Sequence, residues 1–369
     1  MYHISVLNLS EVSESILMNR EIISTLDSQN MLGSIEVFEK QCLEAWESTK
    51  NTELPDSYKS VKNIVFVGMG GSALGIDVIQ KAFADQLQIP ITVVNDYQLP
   101  ASVNEDSLVI FSSYSGTTEE VLHAFDELRG RTKNVFIITT GGDLEKIAAE
   151  QSIPAYIFHP TYNPSNQPRM ASGYSIAGTL GLFVSLGLLK ITNAEMNDVA
   201  AFITSLHGLF GADVANEENV AKQTAKKLVG SFPLFISSEF LEGAVHVATN
   251  QMNENSKTAA FRLPVPEMNH HFIEAFVFPK ELLSKVHVLF FESALYHDRI
   301  QKRYAVTSAL AQDKGLQVSH IQMHGSTRLM QVFEAIVFGS YLSFYLAMEL
   351  GIDPSPIPNV DHLKDALAA

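Results

Sequence analysis

Apolar residues along the chain follow two rhythms, and the alternation between them lays out the architecture. Residues 1–60 carry apolar positions at helical spacing, Ile16, Leu17, Ile22, Ile23 and Leu26 and then Ile35, Phe38 and Leu43, with polar residues between. This predicts a helical lead-in. From Asn63 the pattern changes to short runs of β-branched and aromatic residues, IVFV (64–67), ITVV (91–94), LVIF (108–111), VFII (135–138) and AYIF (155–158), separated by helix-length segments. Runs without period-two alternation fit strands buried on both faces, so a parallel sheet covered by helices is expected. A loop rich in Pro and Asn (160–168) leads into a helix of small residues and leucines (175–189), and 193–229 is helical in pattern again. A second series follows in PLFIS (233–237), VHVLFF (286–291) and VSHIQM (318–323). The last strong helical pattern, 329–350, stops at Gly351 before Asp353-Pro354-Ser355-Pro356, and a final helix is expected over 360–367. The fold class is therefore α/β, with two parallel sheets flanked by helices. The expected segments are 1–60 (helical), 61–192 (first α/β domain), 193–229 (helical linker), 230–352 (second α/β domain) and 353–369 (tail helix).

Composition agrees with that division. A chain of 369 residues suits two domains, and 46% apolar with 18% charged residues is the balance of a packed globular protein. Forty-one acidic against 25 basic residues give a net charge of −16, which opposes broad attraction to nucleic acid or to an anionic membrane. An anionic small molecule would need a local site that overcomes this field. The single cysteine, Cys42, can form no intrachain disulfide and fits a helix core in a reducing compartment. The start MYHISVLNLS has no basic region followed by an apolar run, so a cytoplasmic location is expected. The apolar stretches 176–189, too short to span a bilayer, and 332–350, interrupted by Glu334, Ser340, Ser343 and Glu349, read as buried helices.

Two turns carry candidate chemistry. IVFV runs into Gly68-Met69-Gly70-Gly71-Ser72-Ala73, which should open a helix near Ser72 with backbone N–H groups free to meet an anion. The spacing also fits a dinucleotide fingerprint, with Asp96 after the next strand as a ribose-binding acid, but no Lys-Ser or Lys-Thr completes a nucleoside triphosphate loop. LVIF then leads into Ser112-Ser113-Tyr114-Ser115-Gly116-Thr117-Thr118-Glu119-Glu120, a hydroxyl-rich turn opening a second helix. Ser115 or Thr117 could simply cap that helix, with Glu120 as capping-box partner. Coming after the glycine turn, several hydroxyls at a helix start instead suit a phosphate dianion, and a nicotinamide enzyme has no need of them.

These turns, with Thr139-Thr140-Gly141-Gly142 after the fourth strand, resemble the sugar isomerase (SIS) domain superfamily. Gln167-Pro168-Arg169 with Gly173-Tyr174, Asn253-Glu254-Asn255-Ser256-Lys257, Glu267-Met268-Asn269-His270, and Asp353-Pro354-Ser355-Pro356 with Leu363-Lys364 narrow the resemblance to the bifunctional phosphoglucose/phosphomannose isomerase family. The resemblance implies two SIS domains and interconversion of glucose 6-phosphate and mannose 6-phosphate with fructose 6-phosphate through an enediol, without metal or cofactor. It implies Glu254 as the base between C1 and C2, Arg169 as the cation beside the enediolate, and His270 as a ring-opening residue reaching the neighbouring subunit's site. Lys364 would contact the ring oxygen or hydroxyls, and Gly71, Ser72, Ser113, Ser115 and Thr118 would hold the phosphate. A homodimer with its active site at the subunit interface is the corresponding expectation. His271-Phe272 departs from the Asn-Glu usual after the family's Asn-His, and Ser355 stands where threonine is frequent.

An amino sugar phosphate isomerase or deaminase would share the phosphate turns but not NENSK, Asn269-His270 or the C-terminal lysine. A non-catalytic sugar-phosphate sensor would need the turns and not the base. His320 and His324 have the spacing of helical metal ligands but fall in or beside a strand pattern, which argues against a metal-dependent mannose isomerase.

Overall fold

The computed structural model describes residues 16–368; the first fifteen positions of the expected lead-in, and Ala369, lie outside the described residues. The first sheet joins β1 (Asn63–Gly68), β2 (Ile91–Val94), β3 (Ser107–Ser113), β4 (Asn134–Thr139) and β5 (Ala155–Ile157) in the order β2-β1-β3-β4-β5. The second joins β6 (Phe232–Ser237), β7 (Phe261–Pro264), β8 (Val286–Glu292) and β9 (Gln317–Gln322) in the order β7-β6-β8-β9. Every pairing is parallel. Residues on both faces of the central strands are buried, β1, β3 and β4 almost throughout, as their unbroken apolar runs require.

β7 has no counterpart among the expected strands. It is only Phe-Arg-Leu-Pro, too short and mixed to stand out in the pattern. It sits at a sheet edge, where Pro264 removes no ladder bond that a central strand would need. The stretch 193–229 also resolves into two helices, Asn193–Phe210 and Val220–Leu228, parted by a turn at 211–219.

One hydrophobic core runs through both sheets, from Trp46, Phe66 and Phe183 to Phe235, Phe290 and Tyr345. Helix Arg328–Glu349 is its axis. It is long and apolar enough to cross a membrane, yet 89% of its most apolar window is buried inside the protein, against helices Asn193–Phe210, Val220–Leu228 and Glu242–Asn255. Three of its polar side chains, Glu334, Ser340 and Ser343, are hydrogen-bonded. Glu334, 1% exposed, accepts the N–H groups of His324 and Gly325 at 2.8 and 2.9 Å. Ser340 donates to Gln251 Oε1 at 3.0 Å, and Ser343 Oγ accepts from Asn255 Nδ2 at 3.0 Å.

The two sheets are joined where helix Gly71–Ala82 crosses helix Glu242–Asn255. A Cβ on Gly243 would lie 2.5 Å from Val78 Cα, so only glycine permits this approach. Lys81 meets Glu242 at 2.6 Å and Asp77 meets His246 at 2.7 Å on the same seam. Of the described lead-in helices, Arg20–Leu26, Met31–Glu36 and Phe38–Thr49, the last packs on helices Ser172–Ser185 and Asn193–Phe210, and Met31–Glu36 packs on the Pro168–Met170 turn. Gln41, fully buried, donates to the carbonyls of Tyr162 and Met170 at 2.9 Å each, and Tyr174 donates to Glu44 at 2.6 Å. The loop carrying Arg169 is thereby held from behind. Cys42 is buried in the last of these helices, where burial pushes its thiol pKa well up, away from nucleophilic use.

Candidate active site

Register places the two turns together. Gly68 of β1 pairs with Ser112 of β3, and Ser113 pairs with Thr139 of β4, so the three strands end side by side. Ser72, in the first turn of helix Gly71–Ala82, accepts the Tyr114 N–H at 3.0 Å, while Ser112 donates to the Ser72 carbonyl at 3.0 Å. Ser113 Oγ lies 2.7 Å from Thr118 Oγ1 and 3.5 Å from Ser115 Oγ. At Gly116 the backbone is left-handed (φ +69°), and a Cβ would come within 1.8 Å of the Gly141 carbonyl oxygen. Only glycine lets these two turns touch.

The hydroxyls are not spent on capping. Thr118 is the N-cap of helix Glu119–Leu128, yet its side chain makes no cap hydrogen bond, and neither does Gly70 at the start of Gly71–Ala82. The start of helix Glu119–Leu128 and the Gly71 end of helix Gly71–Ala82, where the Ser72 and Ala73 N–H groups donate to the Met69 and Gly70 carbonyls at 3.1 Å, converge on a cluster of hydroxyls, an arrangement suited to a phosphate dianion. No lysine or arginine takes part in these contacts among the described residues. Asp96, the acid that a dinucleotide site would use, accepts the N–H of Tyr97 at 2.6 Å within its own turn.

The Arg169 turn closes over this cradle. A Cβ on Gly71 would stand 3.5 Å from the Pro168 carbonyl oxygen and 3.7 Å from Arg169 Cα. Arg169 is 3% exposed and nearly saturated. Nε donates to Asn255 Oδ1 at 2.6 Å, Nη1 to Gln167 Oε1 at 2.6 Å, and Nη2 to the carbonyls of Pro354 and Ser355 at 2.9 and 2.8 Å. One N–H of Nη1 remains, on the side where Glu254 Oε2 lies 3.7 Å away. Burial pulls the guanidinium below its usual pKa, with Glu254 and Asp353 opposing.

Glu254 belongs to the last turn of helix Glu242–Asn255, with a side chain 35% exposed. Burial raises its carboxyl above the ordinary glutamate range, while Arg169 and Lys257 pull the other way. A carboxylate so placed is a better proton acceptor from a carbon acid than a solvated one.

The single chain does not bring every expected group to this point. His270 ends the turn Glu267–His270 and is exposed. Its neighbour Asn269 is anchored, donating to Thr307 Oγ1 at 2.8 Å and accepting from Arg303 at 3.3 Å. Lys364 lies on helix Pro358–Ala368, also exposed. Among the described residues neither makes a hydrogen bond or ion pair with Glu254 or Arg169. His320 and His324 go to separate carboxylates, Glu292 at 2.8 Å and Glu334 at 3.2 Å.

Gln251, Ser340 and Ser343 were not legible as site residues. In the sequence the two serines only interrupt an apolar helix, but Ser343 holds Asn255, and Asn255 holds Arg169. The second sheet has no equivalent cradle. At the ends of β6 and β8, the buried Tyr296 hydroxyl accepts from the Ser238 N–H at 3.3 Å and donates to the Phe291 carbonyl at 3.2 Å, filling the junction with a ring.

Residues 217–367 match the family model for the bacterial phospho-glucose isomerase C-terminal SIS domain. Over 342 residues the chain is 32% identical to a bifunctional phosphoglucose/phosphomannose isomerase of Caldicellulosiruptor bescii, covering 92% of this chain and 99% of that protein. A protein of the same name from Aquifex aeolicus is 28% identical over 83% of this chain and 90% of its own length. Among solved structures, a tagatose-6-phosphate ketose/aldose isomerase from Escherichia coli shares the fold with a TM-score of 0.68 at 18% identity, over 87% of this chain and 93% of that one.

Proposed function

The chain belongs to the bifunctional phosphoglucose/phosphomannose isomerase family, and from that premise we propose how it interconverts glucose 6-phosphate and mannose 6-phosphate with fructose 6-phosphate. The observation that carries the reading is the meeting of three parts from distant stretches of chain: the Ser113–Thr118 cradle, the Arg169 turn over it, and Glu254 at 3.7 Å from that arginine. A sensor would need only the first part.

The substrate phosphate sits on the Ser72, Ser113, Ser115 and Thr118 hydroxyls and the backbone around Gly71. Glu254 takes the proton from C2 of the open-chain aldose, giving an enediolate; the O2 hydroxyl proton passes to O1, and Glu254 returns its proton to C1, leaving the carbonyl at C2; the reverse transfers run from the ketose. The remaining N–H of Arg169 stabilises the negative oxygen between the two transfers. Return of the proton by Glu254 to C2 of the enediolate, with one or the other face of C2 turned toward it, gives the two aldose epimers. Ring opening falls to His270 of the partner subunit, and Lys364 contacts the ring oxygen or hydroxyls when the tail packs over the site. The active form would then be a homodimer, in keeping with the exposure of His270 and Lys364 on the single chain, and we place it in the cytoplasm.

Purified protein given fructose 6-phosphate without added metal is expected to form both glucose 6-phosphate and mannose 6-phosphate. Formation of neither overturns the reading, and an active monomer in light scattering removes the interface site.

A further inference from the structure

The base and the tail share a tether. The last residues of helix Glu242–Asn255 run through the C-cap Ser256 to Lys257, whose backbone is left-handed (φ +53°). At this position after a helix end, glycine is the inexpensive choice and a residue with a Cβ gives up about 1 kcal/mol. Lys257 is held there against its backbone preference.

Its ammonium group spans two carbonyls. Lys257 Nζ donates to Glu254 O at 2.7 Å and to Pro354 O at 2.8 Å, residues 100 positions apart in sequence. The first bond satisfies a helix-terminal carbonyl with a cation at the negative end of the helix dipole. The second grips the tail. Pro354 O also receives Arg169 Nη2, and Ser355, fully buried, gives its carbonyl to the same nitrogen. Among the described residues, the hydrogen bonds from 353–368 to the rest of the chain all come from Arg169 and Lys257. The helix beyond them, Pro358–Ala368, is exposed along its described side chains, with Val360 40%, Leu363 57% and Leu367 63% exposed. The tail's place is therefore set at Pro354 and Ser355.

Building on the isomerase reading above, we infer that Lys257 is a positioning residue that clamps the Pro354 carbonyl to the end of the Glu254 helix and so registers the Lys364-bearing tail against the base. Arg169 also bridges the tail to this helix, from the Pro354 and Ser355 carbonyls to the Asn255 side chain, and its last N–H faces the Glu254 carboxylate. Lys257 adds a second bridge, direct from the Pro354 carbonyl to the backbone of Glu254.

The test uses the full chain as Lys257→Gly, Lys257→Met and Lys257→Arg, with kinetics and backbone hydrogen exchange over 353–368. Lys257→Gly relieves the left-handed backbone, so its thermal midpoint should equal or exceed that of the wild type. Its tail amides should nevertheless exchange faster. In both Lys257→Gly and Lys257→Met, kcat should fall ~10-fold or more with KM for fructose 6-phosphate changed less than about threefold, since the cradle is untouched. Lys257→Arg, still a cationic donor, should recover most of the loss. Wild-type tail exchange in Lys257→Gly and Lys257→Met overturns the clamp; so does an arginine variant as slow as the glycine one, because the ammonium would then act in the chemistry itself. Wild-type protein inactive on fructose 6-phosphate would sink the isomerase reading instead, while the exchange data would still decide the clamp.

Discussion

Asn255 Oδ1 takes a 2.6 Å hydrogen bond from Arg169 Nε, and through it the end of helix Glu242–Asn255 fixes the guanidinium that faces Glu254. Asn255 is itself fully buried and held by Ser343 at 3.0 Å. Asn255→Ala leaves a buried guanidinium donor unpaired. Chemical denaturation should show a loss of about 2–3 kcal/mol, and kcat should fall even where the variant is folded. Ser343→Ala, which frees only the amide of Asn255, should cost less on both counts.

Glu254→Gln keeps the shape of the side chain and removes its basicity. Turnover should fall roughly 10³-fold. In deuterated water, label should no longer enter C1 or C2 of the sugar phosphate, while calorimetric binding of the substrate stays within a few-fold of wild type. Label incorporation at the wild-type rate would place the base elsewhere.

The pH profile should carry the mark of that burial. As the proposed base Glu254 must be ionised, and burial raises its carboxyl pKa, so kcat/KM should decline with falling pH at a higher value than the ordinary glutamate figure of about 4.3. Arg169 and Lys257 oppose the rise. Taking the charge from Lys257 with methionine should therefore move the acid limb further up. A limb at the ordinary glutamate position would contradict both statements.

The cradle predicts a different signature. Ser113→Ala with Thr118→Val removes the 2.7 Å hydroxyl pair, each group of which would donate to a dianion. Hydrogen bonds to a charged partner contribute about 1.5–3 kcal/mol each, so losing two should raise KM about 10²- to 10⁴-fold. Inorganic phosphate should lose its power to inhibit in parallel. If kcat falls and KM holds, the phosphate is bound elsewhere.

His270 and Glu254 can be assigned to one chain or two by mixing variants. If His270 serves the partner subunit's site, co-refolded His270→Ala and Glu254→Gln proteins form mixed dimers with one intact site, and about one quarter of wild-type activity returns. No recovery means that each chain supplies its own histidine, or none.

The central strands were readable because burial on both faces leaves an unbroken apolar run, and the two turns because glycine and clustered hydroxyls have few other uses. β7 escaped because an edge strand needs neither length nor a full apolar face, and the break at 211–219 escaped because the flanking helices share one periodicity. The Glu254, Arg169 and cradle positions came from motifs; their mutual geometry did not. What links them, Ser343 to Asn255 to Arg169 to Pro354, spans four remote segments, and hydrogen bonds of that kind leave no local pattern. The lead-in helices had no stated purpose in the sequence, yet Gln41 sets the back of the Arg169 loop.

The hydrophobic core passes unbroken from one sheet to the other, and Gly243 lets their helices meet backbone to backbone. Such a body has no hinge between its halves. A sugar phosphate cannot be enclosed by rocking one sheet over the other, and a half exchanged with a relative would tear the common interior. The Ser113–Thr118 turn and Glu254, the proposed anchor and base, thus stand at a fixed distance, like the two jaws of a gauge. Adjustment to different epimers is left to the pieces at the rim, which can be altered without disturbing the frame.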